Sequence, residues 1–263
     1  MSDIDDIVLA EQKGHALWLT VNRPERRNSL TGHVFQKLRA HLEAAEQDPS
    51  VRVIVLTGAG DAAFSAGADL KPDTDYSPVK MRLESLNHPI VDVFRVLERC
   101  TTPTIARVNG VAMAGGMALL AMCDMAVAAD HAKFALPEVK IGLFPLMIIP
   151  YLQRTLPRRV LNEMIYTGET FDTQWGKEMG LLNYVVPQSE LDTKVNWLCE
   201  RVATKSPAAI RRGKHGMNSI RNMNLDEAFA YAQSEVALYF MTDDFKEGVA
   251  AFNEKRKPKW ADD

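Results

Sequence analysis

Short apolar runs alternate with amphipathic stretches along the first half of the chain. HALWLTV, residues 15–21, alternates apolar and polar positions and is rich in β-forming side chains, so it predicts a strand. VRVIVLTG, residues 51–58, predicts a buried strand that ends at a glycine. Between the two strands, behind the candidate N-cap Thr31, apolar residues recur at helical spacing: Val34, Leu38, Leu42 and Ala45.

The same alternation continues to about residue 160. AGDAAFSAGADLK, residues 59–71, is small and irregular and predicts a loop. Residues 78–100 predict a helix that is interrupted before Pro89. TPTIARVNG, residues 102–110, predicts a third strand, and DMAVAA, residues 124–129, a fourth, with an apolar helix between them that begins at a pair of glycines.

From Arg158 onwards the chain shows mainly helical periodicity, in five successive stretches that end near Met241. An alternating first part of about 160 residues and a helical last part of about 100 predict an α/β fold with a helical C-terminal region. The last of these stretches carries the apolar run VALYFM, residues 236–241. A tail this apolar is expected to pack on another surface, either its own core or a second subunit.

Composition and charge exclude several classes of protein. The 263 residues are 46% hydrophobic and 25% charged, which is typical of a globular chain with one large domain or a domain with a smaller attachment. The net charge of −3 and the lack of a basic block do not favour nucleic-acid binding. The apolar runs are too short for a membrane span, and the acidic N-terminus does not resemble a signal peptide, so a cytoplasmic protein is expected.

Cysteine and histidine patterns do not predict a metal site or a disulfide framework. Cys100, Cys123 and Cys199 are an odd number, widely spaced, and outside any CxxC pair, so they predict buried or idle thiols. The six histidines form no HxxxH or HExxH pattern.

Two glycine-containing junctions are the first candidates for chemistry. FSAGADL, residues 64–70, and MAGGMAL, residues 113–119, each follow a predicted strand, and their small residues let a ligand approach the backbone closely. At the second junction the N–H groups at the start of a helix are unpaired and favour negative charge. Two such donors can form an oxyanion hole. Tight packing of strand on helix is the alternative, and neither junction is a known nucleotide-phosphate loop.

Six segments together resemble the crotonase family, the enoyl-CoA hydratase/isomerase superfamily, over nearly the whole chain. They are NRPERRNSLT (22–31), AFSAGADLK (63–71), VNGVAMAGGMALLAMCD (108–124), FALPEVKIGLFP (134–145), YTGETFDTQWGKEMGLLNYVVP (166–187) and FNEKRKPKW (252–260). The resemblance implies an α/β fold with a crotonase-type β-β-α spiral core, residues 1–197, and a C-terminal helical trimerisation region, residues 198–263.

The same resemblance implies a ligand and its contacts. The ligand is an acyl-CoA thioester of the kind found in fatty acid metabolism. Coenzyme A belongs to that substrate, so no separate cofactor is expected. The chain is also expected to form homotrimers or homohexamers. The backbone N–H groups of Ala68 and Gly115 match the family's oxyanion hole. The candidate contacts to substrate and CoA are Arg26, Ala66, Asp69, Leu70, Lys71, Phe252 and Lys255, the last from the same or another subunit. Solvated surface charge is the alternative for the basic residues, and a structural hydrogen-bonding role for Asp69.

The chain departs from the hydratase pattern at two places. Family hydratases hold water between two glutamates; Glu138 matches one of them, and Ala118 stands where the other would be. FPLMIIP, residues 144–150, replaces a glycine-rich stretch with bulky apolar residues, which predicts a drier pocket. Family isomerases, which move a double bond from C3 to C2, work with a single glutamate in the Glu138 region.

Several reactions therefore remain open at the level of sequence. Hydration and double-bond isomerisation are both compatible with Glu138, and decarboxylation or carbon–carbon cleavage of a thioester would use the same hole. A missing second acid could come from elsewhere in the chain: Asp73, Asp75, Tyr76 or Glu84. The alternative from another class is an acyl-CoA-binding homologue with little or no hydratase activity.

Overall fold

The computed structural model describes residues 6–70 and 89–261. The second half of the helix predicted over residues 78–100 is present as a helix from Pro89. Five residues named in the sequence analysis lie outside the described residues: Lys71, Asp73, Asp75, Tyr76 and Glu84.

The larger of two sheets has six strands. They are β1 (Val8–Lys13), β2 (Ala16–Val21), β3 (Val53–Gly58), β5 (Thr104–Val108), β7 (Met125–Ala129) and β10 (Tyr184–Val186). They lie in the order β1-β2-β3-β5-β7-β10. Only the β1–β2 pair among them is antiparallel, and the other neighbours are parallel.

The smaller sheet has four short strands, β4 (Ala63–Ser65), β6 (Val111–Met113), β8 (Phe134–Ala135) and β9 (Thr170–Phe171), in the order β4-β6-β8-β9. The pairs β4–β6 and β6–β8 are parallel, and β8–β9 is antiparallel. From β3 to β8 the chain places one strand in the large sheet and the next in the small sheet, with helices between such pairs. This alternation is the β-β-α spiral that the resemblance implies.

The described helices begin with α1 (Gly32–Gln47), where the Thr31 hydroxyl accepts the Val34 N–H at 3.3 Å, so the predicted N-cap is confirmed. They continue with α2 (Pro89–Arg99), α3 (Gly115–Met122), α4 (Ile149–Thr155), α5 (Arg158–Thr167) and α6 (Thr173–Glu178). The C-terminal helices are α7 (Leu191–Ala203), α8 (Pro207–Ile220), α9 (Leu225–Tyr239) and α10 (Asp243–Glu254).

Apolar residues cover both faces of the large sheet. In β3, Ile54 and Leu56 belong to the main core, while Val53 and Val55 pack in a second cluster with Leu191 of α7. Because successive side chains of a strand point to opposite faces, a strand covered on both sides needs an unbroken apolar sequence. This is why residues 53–56 contain no polar position.

One sequence-based assignment is wrong in detail, because the predicted loop over residues 59–71 contains β4. The predicted strand over 102–110 is confirmed as β5, which is followed at once by β6 in the other sheet. Asn109, whose side chain is fully buried, stabilises the backbone where the chain passes from the large sheet to the small one. Its side-chain amide donates to Gly60 O at 2.6 Å and to Ala63 O at 3.0 Å, and its side-chain oxygen accepts the Gly58 N–H at 3.3 Å.

The C-terminal helices differ in how much they bury. The expected boundary after residue 197 falls inside α7, which packs on the large sheet through Leu191, Val195, Leu198 and Cys199. In contrast, α9 has no buried residue within the single chain. Large apolar side chains are exposed along α9, α10 and the turn between them: Leu225, Phe229, Val236, Leu238, Phe240, Met241, Phe245, Val249 and Phe252. None of the helices in the described ranges has the length and apolar character needed to cross a bilayer.

Candidate active site

Three loops leave the same edge of the small sheet. Ala68 follows the end of β4, Gly115 follows the end of β6, and Glu138 follows the end of β8, each within three residues. Because β4, β6 and β8 are parallel neighbours, their carboxyl ends lie side by side. The topology therefore brings the two predicted oxyanion donors and the predicted acid/base to one edge of the sheet.

Hydrogen bonds to Leu30 fix the direction of the Ala68 N–H. The Leu30 N–H donates to Gly67 O at 2.7 Å, and the Asp69 N–H donates to Leu30 O at 3.2 Å. In this parallel bridge Gly67 O and the Asp69 N–H are the groups that bond to Leu30, so the N–H of Ala68, which lies between them, points away from Leu30. Among the described residues the Ala68 N–H has no acceptor, and Ala68 is exposed.

The second donor lies at the first residue of α3. An N–H at this position has no partner within its own helix, and no described residue accepts the one of Gly115. The preceding residue, Ala114, has φ 49° and ψ −120°, a sparsely populated conformation for a residue with a side chain. Such a conformation costs about 1–3 kcal/mol and is typical of functional sites.

Glycines allow the two donor loops to touch. Gly67 has φ 89°, and a Cβ there would lie 2.7 Å from the Ala114 Cβ and 3.1 Å from the Gly115 N. A Cβ on Gly116 would lie 2.3 Å from Ser65 O. Larger residues at either position would push the loop of Ala68 away from the start of α3. The glycines thus let the loop of Ala68 lie against the start of α3, where the unpaired N–H of Gly115 stands at the positive end of the helix dipole.

Glu138 has the environment of a base. It lies in the 3-10 helix Pro137–Ile141 and is half-buried. Its Oε2 atom is buried and has no hydrogen-bond partner. Burial disfavours the charged form and raises the pKa of the Glu138 carboxyl, against the smaller opposing effect of its own backbone N–H. A carboxylate with a raised pKa and a free oxygen accepts a proton more readily than an exposed one.

The position of the second hydratase glutamate is part of the core. Ala118 is 0% exposed, and its neighbours Met117, Leu119 and Leu120 are also buried. The side chains of α3 that lie next to Ala118 are therefore all apolar, and the described part of the helix brings no second carboxylate to Glu138. The predicted replacements for this acid lie outside the described residues.

An apolar surface follows Glu138 along the chain. Ile141, Leu143 and Phe144 are exposed, as are Leu146 and Met147, with exposed fractions between 44% and 69%. The Phe144 ring contacts that of Tyr166 at a centroid distance of 6.3 Å. Within the segment 144–150, only Pro145 and Ile148 are buried. We refer to residues 141–147 as the apolar rim.

The predicted substrate contacts are distributed over several parts of the fold. Arg26 is exposed, the Ala66 N–H donates to Arg27 O at 3.0 Å, and Leu70 is 57% exposed. Lys71 lies outside the described residues. Phe252 and Lys255 are exposed at the end of α10, which packs against α8. Their relation to the loops of Ala68 and Gly115 stays a prediction.

Sequence reasoning missed the partner of Asp69. The Asp69 carboxylate accepts a hydrogen bond from the Arg23 guanidinium at 2.7 Å, and both side chains are largely buried, 13% and 15% exposed. Arg23 stands in the quoted motif NRPERRNSLT, but 46 residues separate the pair. No local pattern in the sequence connects two residues at that distance along the chain.

A cavity of about 290 Å³ lies at the other end of α3. Its lining includes Cys123, Asp124, Tyr151, Lys214 and Arg221, and it does not include Ala68, Gly115 or Glu138. The Lys214 ammonium donates to Asp124 at 2.7 Å and to Thr102 O at 2.9 Å, which fixes α8 to the core. This cavity is therefore separate from the candidate active site.

The three thiols are free. Burial raises the pKa of Cys100 and of Cys199 to about 12, and raises the pKa of Cys123 above the usual thiol range. Thiols with such raised pKa values are poor nucleophiles at neutral pH. In the described ranges, no three His, Cys, Asp or Glu side chains gather as a metal site would require.

Known proteins resemble this chain in sequence and in fold. The family model described as enoyl-CoA hydratase/isomerase matches residues 11–263. The crotonyl-CoA hydratase of Syntrophomonas wolfei is 33% identical over 255 residues, 96% of this chain and 96% of that protein. Enoyl-CoA hydratase EchA19 of Mycobacterium tuberculosis is 34% identical over 254 residues, 96% of this chain and 95% of that protein. The crystal structure of an enoyl-CoA hydratase from Mycobacterium smegmatis aligns with a TM-score of 0.90 at 34% identity, covering 97% of this chain and 98% of that one.

Proposed function

The chain belongs to the enoyl-CoA hydratase/isomerase family, and we propose that it transfers a proton at the α-carbon of an acyl-CoA thioester with Glu138 as its single acid/base. The observation that carries this proposal is the Glu138 Oε2 atom, buried and without a partner at the same sheet edge as two unpaired N–H groups. A group left in this state is poised to accept a proton from a bound molecule.

The proposed reaction moves a double bond from C3 to C2 of an enoyl-CoA. Glu138 removes a proton from C2 of a 3-enoyl thioester, and the electron pair of the C–H bond delocalises onto the thioester oxygen on one side and across the C3–C4 double bond on the other. The N–H groups of Ala68 and Gly115 stabilise that oxygen as it becomes negative. Glu138 then returns the proton to C4, which restores the carboxylate and yields the 2-enoyl thioester.

The apolar rim supports an apolar acyl group as substrate. Five exposed apolar side chains lie directly after the proposed base, and the described residues leave between 44% and 69% of each one uncovered. Covering them with an acyl chain would remove water from around Glu138. Drier surroundings disfavour the carboxylate and make it a stronger base.

Hydration of a 2-enoyl-CoA is the second candidate, because the relatives named above carry the word hydratase. Addition of water requires a second group to hold and activate it. The described part of α3 presents Ala118 at the family position of that group. We therefore rank isomerisation first and hydration second.

Product analysis decides between the candidates. The protein is incubated with 2-enoyl- and 3-enoyl-CoAs of short and medium chain length, and the products are analysed by mass and by ultraviolet absorbance. An unchanged mass with new conjugation from the 3-enoyl substrate supports isomerisation. A gain of one water from the 2-enoyl substrate supports hydration instead, and binding without any turnover would contradict the proposed catalysis.

We also propose that the CoA moiety belongs to the substrate and that no separate cofactor takes part. Arg26, Lys71, Phe252 and Lys255 remain the proposed CoA contacts, and Ala66 and Leu70 remain proposed contacts to substrate or CoA. Self-association into homotrimers or homohexamers is proposed from the exposed apolar side chains of α9 and α10. Sedimentation that shows only monomer at micromolar concentration would contradict it.

A further inference from the structure

The ion pair between Arg23 and Asp69 joins the loop of the first oxyanion donor to a separate segment of the chain. One guanidinium nitrogen of Arg23 donates to the Asp69 carboxylate at 2.7 Å. The other donates to the backbone oxygen and to the hydroxyl of Ser29, both at 2.8 Å. The side chains of Arg23 and Asp69 are 15% and 13% exposed. A largely buried guanidinium that binds two partners through its two terminal nitrogens forms a strong contact with a fixed geometry.

The segment that Arg23 binds, residues 27–29, has an unusual backbone conformation. Arg27 and Asn28 have φ 51° and 54°, in the left-handed region. The Asn28 side chain is fully buried, accepts the Arg23 N–H at 3.1 Å and donates to Ala63 O at 2.7 Å and Ala59 O at 3.0 Å. This network ties residues 23–30 to both ends of the strand and loop that carry Ala68.

Ala68 is thus bracketed by fixed neighbours. On one side, Gly67 O is bound to the Leu30 N–H, and on the other, Asp69 is bound through its N–H to Leu30 O and through its carboxylate to Arg23. The peptide group that contains the Ala68 N–H also contains Gly67 O, so the hydrogen bond from Leu30 fixes one side of this group, while the N–H itself has no acceptor among the described residues. The other side of Ala68 is fixed through Asp69.

We propose that Arg23 and Asp69 are positioning residues for the oxyanion hole. Their ion pair holds the Ala68 N–H at the distance and angle that the thioester oxygen requires when it becomes negative. This inference rests on the proposed function, and it assigns to Asp69 an action through Ala68 rather than direct contact with substrate.

The mechanism predicts a specific kinetic signature. A misplaced donor weakens stabilisation of the transition state more than binding of the ground state. In Asp69→Asn, which keeps shape and an acceptor oxygen but removes the charge, we expect kcat to fall about ten- to hundredfold, because small misplacements cost up to about 10²-fold. KM should change less than about threefold. Arg23→Lys keeps the charge but loses the fork, so it should show a smaller loss of kcat in the same direction.

A spectroscopic readout separates positioning from general stability. The infrared stretch of an isotopically labelled thioester carbonyl in bound butyryl-CoA reports hydrogen bonding to that oxygen, and butyryl-CoA carries no double bond to be moved or hydrated. The wild-type protein should shift the stretch to lower frequency, and Asp69→Asn should return it part of the way to the value of free butyryl-CoA. Arg23→Lys provides the same measurement if Asp69→Asn does not fold.

Asp192→Asn is the control, since it makes the same change of side chain in another ion pair of a largely buried arginine. The Arg107 guanidinium, 13% exposed, donates to Asp192, 60% exposed, at 2.5 Å, and neither residue belongs to the loops of Ala68 and Gly115. Its kcat and carbonyl stretch should equal those of the wild-type protein. A wild-type shift that persists unchanged in Asp69→Asn and Arg23→Lys would overturn the positioning role and leave the proposed function standing. Absence of any shift in the wild-type protein would instead overturn the oxyanion hole itself.

Discussion

Replacement of Glu138 by glutamine removes the proposed base and changes little else. Glutamine has the same length and shape, and the Glu138 Oε2 atom makes no hydrogen bond that would be lost. The oxyanion donors and the proposed CoA contacts are untouched, so the thioester should still bind. The amide cannot accept a proton at neutral pH, so proton transfer at the α-carbon should stop.

The size of the expected loss follows from the surroundings of Glu138. General acid/base catalysis contributes about 10²–10⁴ in rate, or about 2.7–5.4 kcal/mol of barrier. A second carboxylate nearby could supply part of this contribution in the variant. Ala118 is fully buried among apolar neighbours, and the described part of α3 offers no such group. We therefore expect Glu138→Gln to lose more than about 10²-fold in kcat.

Glu138→Gln should lose activity but gain stability at neutral pH. The pKa of Glu138 is raised by burial in the folded chain, above the value of about 4.3 for an unfolded glutamate. The folded state then binds the proton more tightly, so stability falls as pH rises from the unfolded pKa through the folded pKa. Above the raised folded-state pKa the wild-type protein carries the whole of this pH-dependent penalty, and the glutamine variant carries none of it at any pH. The variant should melt at a higher temperature at pH 7, and the difference should disappear below about pH 4.

Solvent deuterium exchange is the direct assay. The protein is incubated with an acyl-CoA in deuterated buffer, and incorporation at the α-carbon is followed by mass. In the wild-type protein the exchange rate should rise with pH through the raised pKa of Glu138 and then level off. Glu169→Gln is the control, since this carboxylate pairs with Lys140 at 3.2 Å and is largely exposed. Exchange that continues in a folded Glu138→Gln protein, at a rate within tenfold of the wild type, would refute the assignment of the base.

Changes at three further positions test the oxyanion donor, the position of the missing glutamate and the core outside the site. Gly115→Pro removes the proposed N–H donor and should lower kcat by about 10²–10³. Gly115→Ala keeps the N–H and should keep most of the activity, because the nearest described side chain to its Cβ, that of Leu30, lies 3.4 Å away. Ala118→Glu should give at most a weak gain of hydration and a clear loss of melting temperature, because a polar group in that fully buried position costs roughly 2–7 kcal/mol. Lys214→Met should lower the free energy of unfolding by about 1–3 kcal/mol in denaturant titration, since Asp124 loses its charged partner, with little effect on KM.

The long elements were predictable from sequence because they repeat a pattern. The helix α1 shows four apolar residues at helical spacing behind a capping threonine, and β3 shows an unbroken apolar run. The strands β4, β6 and β8 have three residues or fewer, too short for any period to appear. They form because the spiral brings them side by side, which is a property of the whole fold.

The residues of the candidate site likewise include some that the sequence predicts and some that depend on contacts in the folded chain. Gly115 stands in a local glycine motif and Glu138 is predicted through the resemblance to the crotonase family, and both follow strands that end at the same sheet edge as the strand before Ala68. Arg23 was missed because its role depends on a contact across 46 residues. The unpartnered state of the Glu138 Oε2 atom was also beyond sequence reasoning, since it depends on what surrounds the side chain in three dimensions.

One sheet edge carries polar groups that the described residues leave unsatisfied: the N–H groups of Ala68 and Gly115 and the Oε2 atom of Glu138. A buried acceptor without a partner costs about 1–3 kcal/mol, so the fold is less stable for keeping it. A thioester enolate satisfies both kinds of group at once, because its oxygen accepts the two N–H bonds while Glu138 holds the proton. Both interactions strengthen as charge moves from the carboxylate to the oxygen, so they favour the transition state over the bound substrate. One base and one hole are sufficient for a proton to leave one carbon and return to another.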